Sequence, residues 1–232
     1  MRRRHRRLAV AVALALVAAT LGDAMAGTIV GKVEARSPER SQGAAAAGGD
    51  AAYANRRYKF LERIDYDTLR DFVVSIDRVS HPAPTPAPRA VITQKDGQFS
   101  PHVLPVVVGT EVEWPNLDDI FHNVFSISDA CGFDLGLYKR GEGAKKVRFE
   151  LPGRVDVFCS IHTKMSCIVL VLPNPWFARA DERGRYVIKD VPPGTYRLKA
   201  WHERLPAQVK EVVVPEAGEV KVDFTLGLGQ QP

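Results

Sequence analysis

The stretch PGRVDVFCSIHTKM spans residues 152–165 and opens with a Pro-Gly pair, which is typical of a turn. After the turn, Val155, Val157 and Cys159 alternate with Arg154 and two further residues. Successive side chains on a strand point to opposite faces, so Val155, Val157 and Cys159 share one face. We therefore predict a strand that carries Cys159 towards an apolar interior.

The same stretch places three metal-binding side chains within seven residues: Cys159, His162 and Met165. A thiolate, an imidazole and a thioether are soft or borderline donors, and together they suit copper better than magnesium or calcium. A second imidazole is available upstream, where His122 lies in NLDDIFHNVFS just before an apolar strand. We predict one copper site with the metal ligands His122, Cys159, His162 and Met165.

Two other interpretations of these residues stay open at this stage. A zinc site is one, although a thioether is a poor zinc ligand and Met165 is the only methionine after residue 26. A β-sandwich that binds no metal and keeps a leftover cysteine is the other.

Short strands separated by turns surround this stretch and predict an all-β protein. Strand patterns recur at intervals of about 8–12 residues between 90 and 172, which favours an antiparallel β-sandwich. No long segment has the 3.6-residue period of an amphipathic helix. After LPNPWF, at 172–177, a strand, a Pro-Pro-Gly turn and further strands predict a smaller second sandwich.

The first 26 residues have the order of a secretory signal peptide. RRRHRR is followed by the apolar LAVAVALALVAATLG and then by Ala24-Met25-Ala26, a pattern that signal peptidases cleave. These residues hold five arginines and one aspartate, so their removal lowers the formal net charge from +5 to +1. We expect export to the periplasm, no nucleic-acid binding and no membrane span after signal removal.

Residues 27–89 have a mixed character. They contain two strand patterns, a low-complexity insert at 37–56 and the proline-rich connector HPAPTPAP. The strand patterns can join either sandwich. The predicted units are thus the signal peptide at 1–26, this segment at 27–89, the first sandwich at 90–174 and the second at 175–232.

Residues 103–172 resemble a cupredoxin of the amicyanin/plastocyanin type. The resemblance lies in VGTEVEWPN, then HNV, then KKVRF, and finally PGRVDVFCSIHTKM with its Cys-x2-His-x2-Met spacing. It implies a Greek-key β-sandwich in which His122 and His162 are equatorial ligands, Cys159 is the thiolate and Met165 is the weak axial ligand. It also implies that Asn123 helps to tie the two ligand segments together near the sulfur.

The same resemblance implies a type 1 copper protein that carries single electrons, with His162 as the surface exit. A redox protein such as a c-type cytochrome or a periplasmic dehydrogenase is the partner to be expected, in line with proteins of methylamine utilisation. No general base or oxyanion device is visible, so we do not expect an enzyme. A copper-delivery protein and a non-redox envelope interaction module are the alternatives.

Two cysteines, Cys131 and Cys167, are left over. In an oxidising compartment they either form a disulfide or remain as two unpaired thiols.

The second sandwich resembles the carboxypeptidase regulatory-like, or transthyretin-like, domain. The resemblance lies in GRY at 184–186 and in DVPPGTY at 190–196. A fold analogy of this kind implies no activity.

Overall fold

The computed structural model describes residues 26–37, 64–81 and 88–228. Apart from their terminal residues, the predicted signal peptide, the low-complexity insert and the proline-rich connector lie outside these ranges. The described residues form eighteen strands and no helix, which confirms the all-β class.

The strands follow one another with short connections through most of the described chain. In chain order they are β1 (Gly27–Ala35), β2 (Val73–Asp77), β3 (Arg89–Val91), β4 (Thr93–Lys95), β5 (Gln98–Ser100), β6 (Val103–Val107), β7 (Glu111–Trp114), β8 (His122–Ser128), β9 (Cys131–Tyr138), β10 (Lys145–Arg148), β11 (Gly153–Phe158), β12 (Ser166–Leu172), β13 (Phe177–Arg179), β14 (Arg185–Val191), β15 (Gly194–His202), β16 (Leu205–Val214), β17 (Glu219–Lys221) and β18 (Phe224–Leu226).

The first sandwich has a three-stranded sheet, β10-β7-β3, and a five-stranded sheet, β6-β12-β11-β8-β9. Side chains from both sheets form one buried core, which confirms the predicted β-sandwich. The sheets are mostly antiparallel, as expected, but β3 pairs in parallel with β7 and β6 pairs in parallel with β12. A strand that enters a sheet from a distant part of the chain, rather than through a hairpin, can run in either direction.

The core of this sandwich is apolar and aromatic. Trp114, Phe149, Val155 and Val157 are completely buried between the sheets, which confirms the predicted inward face of β11. Tyr138 is also buried, and its hydroxyl donates a hydrogen bond of 2.7 Å to the carbonyl of Trp114. Burial raises the pKa of Tyr138 to about 12. The neutral phenol therefore ties β9 to β7 beneath the end of the sandwich where β8 begins.

The second sandwich is completed by the N-terminal strands, a point that the sequence pattern had left open. β1 lies between β14 and β17 and also pairs with β18, while β2 lies between β13 and β15. Ile29 and Val74 from these strands are buried in the same core as Leu198 and Phe224. The first sandwich is thus inserted in sequence between strands of the second.

The two sandwiches pack against each other along β12. Val103, Ile168 and Leu172 of the first sandwich form one buried cluster with Val73 of the second, and Trp201 packs against it. His102 adds a polar link, because its ring nitrogens lie 3.2 Å from the carbonyl of Ser166 and 3.1 Å from a carboxylate oxygen of Glu203. The strand that follows Met165 is therefore supported from outside by the second sandwich.

Substitution of Gly31 should destabilise the second sandwich. A Cβ atom at Gly31 would lie 1.8 Å from the carbonyl oxygen of Val222, where the chain crosses from β17 to β18. Main-chain atoms cannot move away without breaking the pairing, so Gly31→Ala should lower the free energy of unfolding by about 1–3 kcal/mol in urea titrations. Gly132→Ala is the matched control, because its Cβ would have no neighbour closer than 3.8 Å. The control should change stability by no more than about 0.5 kcal/mol, and equal effects of the two variants would contradict the assignment of β1.

Candidate metal centre

Three of the four predicted ligands converge at one end of the first sandwich. Nδ1 of His122 lies 3.0 Å from Nδ1 of His162, and Sγ of Cys159 lies 3.6 Å from the same His162 nitrogen. The ligand atoms of the three residues all lie within 4.8 Å of one another. Residues 40 positions apart in the chain, His122 and His162, therefore present their ring nitrogens to a common point.

The segment 159–165, here called the ligand loop, is closed by its own main chain. The N–H of Cys159 donates to the carbonyl of Met165 at 3.1 Å, and the N–H of Met165 donates to the carbonyl of His162 at 2.9 Å. These bonds fold the end of β11 directly back into β12. Met165 is 1% exposed and lies in the same core cluster as Cys159, so the thioether is enclosed at this end of the sandwich.

The two ligand segments meet through the main chain of Asn123. The N–H of Asn123 points at Sγ of Cys159 with a separation of 3.4 Å. The side chain of Asn123 makes a separate hydrogen bond, in which its Nδ2 donates to a carboxylate oxygen of Asp134 at 2.7 Å. The link near the sulfur predicted for Asn123 thus comes from its backbone, and its side chain connects β8 to β9.

Asp118 is a site residue that the sequence reasoning missed. One of its carboxylate oxygens lies 2.8 Å from Nε2 of His122. Burial opposes ionisation of Asp118, but the hydrogen bonds from the Gly97 N–H, the His122 ring and the Asp96 N–H outweigh burial and lower its pKa. The signal was present in NLDDIFHN, where an acidic residue stands four positions before the histidine.

The residues at this point fit a copper ion. Bonds from zinc to nitrogen and to sulfur are about 2.0 and 2.3 Å long. With bonds of this length, one ion can lie between two nitrogens that are 3.0 Å apart and a sulfur that is 3.6 Å from one of them. A single ion can therefore contact both imidazoles and the thiolate. Two imidazoles, a thiolate and a nearby thioether form the donor set typical of a blue-copper site. Asp118 engages Nε2 of His122 and leaves Nδ1 available to the metal.

The ligands differ in their access to solvent. His122 and Cys159 are 0% and 5% exposed, whereas His162 is half-buried. Large apolar side chains next to the two histidines in sequence, namely Ile120, Phe121 and Ile161, are exposed. His162 is thus the ligand with solvent access, and its neighbour in sequence, Ile161, is an exposed apolar residue.

The structure contradicts a Cys131–Cys167 disulfide, because all three cysteines are free thiols. Cys131 is on β9 and Cys167 is on β12, with β8 and β11 between them in the sheet. Three strand spacings of about 4.8 Å exceed the Cα separation of roughly 7 Å that a disulfide can bridge. Burial raises the pKa of both thiols, so each is a neutral side chain at neutral pH.

No helix within 26–37, 64–81 or 88–228 has the length and apolarity needed to cross a membrane.

Comparisons with solved structures find similarity over less than half of the chain. A purple cupredoxin from Nitrosopumilus maritimus is 28% identical over 36% of this chain and 99% of its own, with a TM-score of 0.32. A copper-containing nitrite reductase from Thermus scotoductus SA-01 is 27% identical over 43% of this chain and 25% of its own, with a TM-score of 0.36. A mutant of amicyanin in its oxidised state is 26% identical over 43% of this chain and 98% of its own, with a TM-score of 0.35.

Comparisons at the sequence level add one short match. The family model described as polysaccharide lyase family 4, domain II, matches residues 176–222. The second sandwich therefore matches this family and not the carboxypeptidase regulatory domain that its turn motifs resemble. No curated protein matches the chain.

Thiol counting should give three reactive cysteines per chain. The full chain, purified metal-free and without reductant, should release three equivalents in a disulfide-exchange colour assay under denaturing conditions, because all three cysteines are free and Cys131 lies three strands away from Cys167. Cys131→Ser should lower the count to two. A count of one for the parent would contradict the separation of Cys131 and Cys167.

Proposed function

We propose that this chain is a type 1 copper protein of the periplasm that carries single electrons between redox partners. The observation that carries the proposal is the convergence of the two Nδ1 atoms and the sulfur of Cys159 at one end of a closed sandwich. The chain binds one copper ion through His122, Cys159, His162 and Met165, and it is a carrier rather than an enzyme.

The scaffold is suited to electron transfer because it resists rearrangement. His122 begins β8 and Cys159 follows β11, and these strands are hydrogen-bonded neighbours through the pair Phe125–Phe158. The sheet fixes the distance between the ligand segments, and burial of His122 and Cys159 keeps water from their ligand atoms. Copper supplies the one-electron chemistry, and a site that barely changes shape between oxidation states exchanges electrons with little reorganisation.

His162 is the residue through which an electron leaves or enters. It is the ligand with solvent access, and the exposed fractions of Ile120, Phe121 and Ile161 are 53%, 46% and 50%. An apolar surface allows a partner to approach closely without the cost of removing water from charged groups. The partner class that we propose is a c-type cytochrome or a periplasmic dehydrogenase.

Copper loading tests the ligand assignment. Adding Cu(II) to the full chain should produce an intense visible thiolate-to-copper band and a type 1 paramagnetic-resonance spectrum. Cys159→Ser should abolish the band, since a serine oxygen cannot replace the thiolate. Met165→Leu conserves volume and should keep most of the band while shifting the reduction potential.

Cys131→Ser is the matched control for this experiment. It removes one thiol from the same sandwich at the far end of the β8–β9 hairpin from His122, and it should leave the band and the potential unchanged. A band that survives in Cys159→Ser, or is lost in Cys131→Ser, would show that the ligand assignment is incorrect.

Copper delivery is a second candidate function, which the half-buried position of His162 favours. A protein that receives copper can displace a solvent-accessible ligand with one of its own metal-binding side chains. The two functions differ in kinetics. We expect fast electron self-exchange, measured by line broadening of mixed oxidation states, and slow loss of copper to a chelator. Fast copper transfer with slow self-exchange would favour delivery instead.

A further inference from the structure

The carboxylate of Asp118 connects a metal ligand to a distant turn. It faces Nε2 of His122 at 2.8 Å, and it also accepts hydrogen bonds from the N–H groups of Asp96 at 2.9 Å and Gly97 at 3.1 Å. An ionised carboxylate has no proton to donate, so Nε2 of His122 carries the proton of this contact. That tautomer leaves Nδ1 free of a proton on the side where Cys159 and His162 lie.

The turn that holds Asp118 has a defined backbone geometry. Asp96 and Gly97 join β4 to β5, and both have positive φ values, 53° and 67°. Two successive residues with positive φ form the tight hairpin turn that the Asp-Gly dipeptide favours. Both N–H groups of the turn point to the same carboxylate, and two aligned main-chain dipoles stabilise its negative charge.

Asp118 is also anchored through its own backbone. Its N–H donates to Oδ1 of Asn116 at 2.8 Å, and its carbonyl accepts from the N–H of Arg140 at 3.1 Å. The Asn116 side chain in turn donates to the carbonyl of Tyr138, the residue paired with His122 across β8 and β9. The carboxylate therefore cannot turn away from His122 without breaking contacts to the turn.

We propose that Asp118, held by the Asp96–Gly97 turn, is a positioning residue that fixes the Nε2-protonated tautomer of His122 and strengthens its Nδ1 as a copper donor. The inference rests on the proposed copper site. The negative charge of the Asp118 carboxylate has an effect of its own, besides orienting the His122 ring. A negative charge on the far side of the imidazole increases electron density at Nδ1 and stabilises Cu(II) relative to Cu(I).

The test separates charge from geometry with three variants. Asp118→Asn keeps an oxygen acceptor for Nε2 but removes the charge. The visible band should therefore remain. The ratio of Cu(I) to Cu(II) affinity should rise about tenfold, which raises the reduction potential by about 59 mV for one electron. Asp118→Ala removes the acceptor and should weaken Cu(II) binding by about 10- to 100-fold. Asp119→Asn is the control. Asp119 is the next residue, its side chain is 82% exposed and its carboxylate faces Arg140, so the variant removes the same charge from a solvent-exposed position.

The tautomer can be read without copper. Long-range proton–nitrogen correlation spectra of the metal-free full chain should show His122 protonated at Nε2 in the parent and in Asp118→Asn, and a mixture of tautomers in Asp118→Ala. Equal potential shifts in Asp118→Asn and Asp119→Asn, or an unchanged tautomer and copper affinity in Asp118→Ala, would overturn the proposal. The parent could fail to bind copper and still show the Nε2 tautomer of His122, with that tautomer lost in Asp118→Ala. This outcome would contradict the proposed function but support the positioning role of Asp118.

Discussion

The hydrogen bond from the N–H of Asn123 to Sγ of Cys159 joins two stretches that are 36 residues apart in the chain, and the candidate site depends on it. The contact forms because β8 and β11 are neighbours in the five-stranded sheet. A buried thiolate needs a donor close to its sulfur, and a main-chain N–H supplies one without a side chain that could rotate. The same neighbourhood brings the ring of His122, one residue earlier, up to the ligand loop.

Three sides of this site are held by different kinds of interaction. On the inside, close packing of the aromatic core fixes β7, β9 and β11, and the neutral hydroxyl of Tyr138 adds a polar tie. On the side facing the β4–β5 hairpin, Asp118 collects donors from the Asp96–Gly97 turn and from His122. Outside, the second sandwich covers β12, the strand that leaves the ligand loop. Each ligand segment is thus supported by an element that is remote in sequence.

Alternation of side chains predicted the inward face of β11. The side chains of Val155 and Val157 are 0% exposed, which confirms this prediction. The period of two residues is a local property, and for that reason it can be recognised without a fold. Strand direction is not local, so the parallel pairing of β6 with β12 was missed. The choice between a Cys131–Cys167 disulfide and two free thiols stayed open for the same reason, since the number of strands between two cysteines depends on sheet order. An acidic residue four positions before His122 is visible in the sequence. That its carboxylate faces Nε2 is not visible, because the Asp96–Gly97 turn, which holds this carboxylate, lies more than 20 residues away in the chain.

By itself, the sequence determined the all-β class, the inward direction of Cys159 and the chemical character of the candidate donors, because alternation and donor softness belong to single segments and side chains. Only the tertiary structure decided that Nδ1 of His122 faces His162, that the N-terminal strands complete the second sandwich, and that a carboxylate stands behind the buried imidazole. These outcomes depend on which strands become neighbours in a sheet. That choice is made by packing the whole chain around its two cores, and no short stretch of sequence contains it.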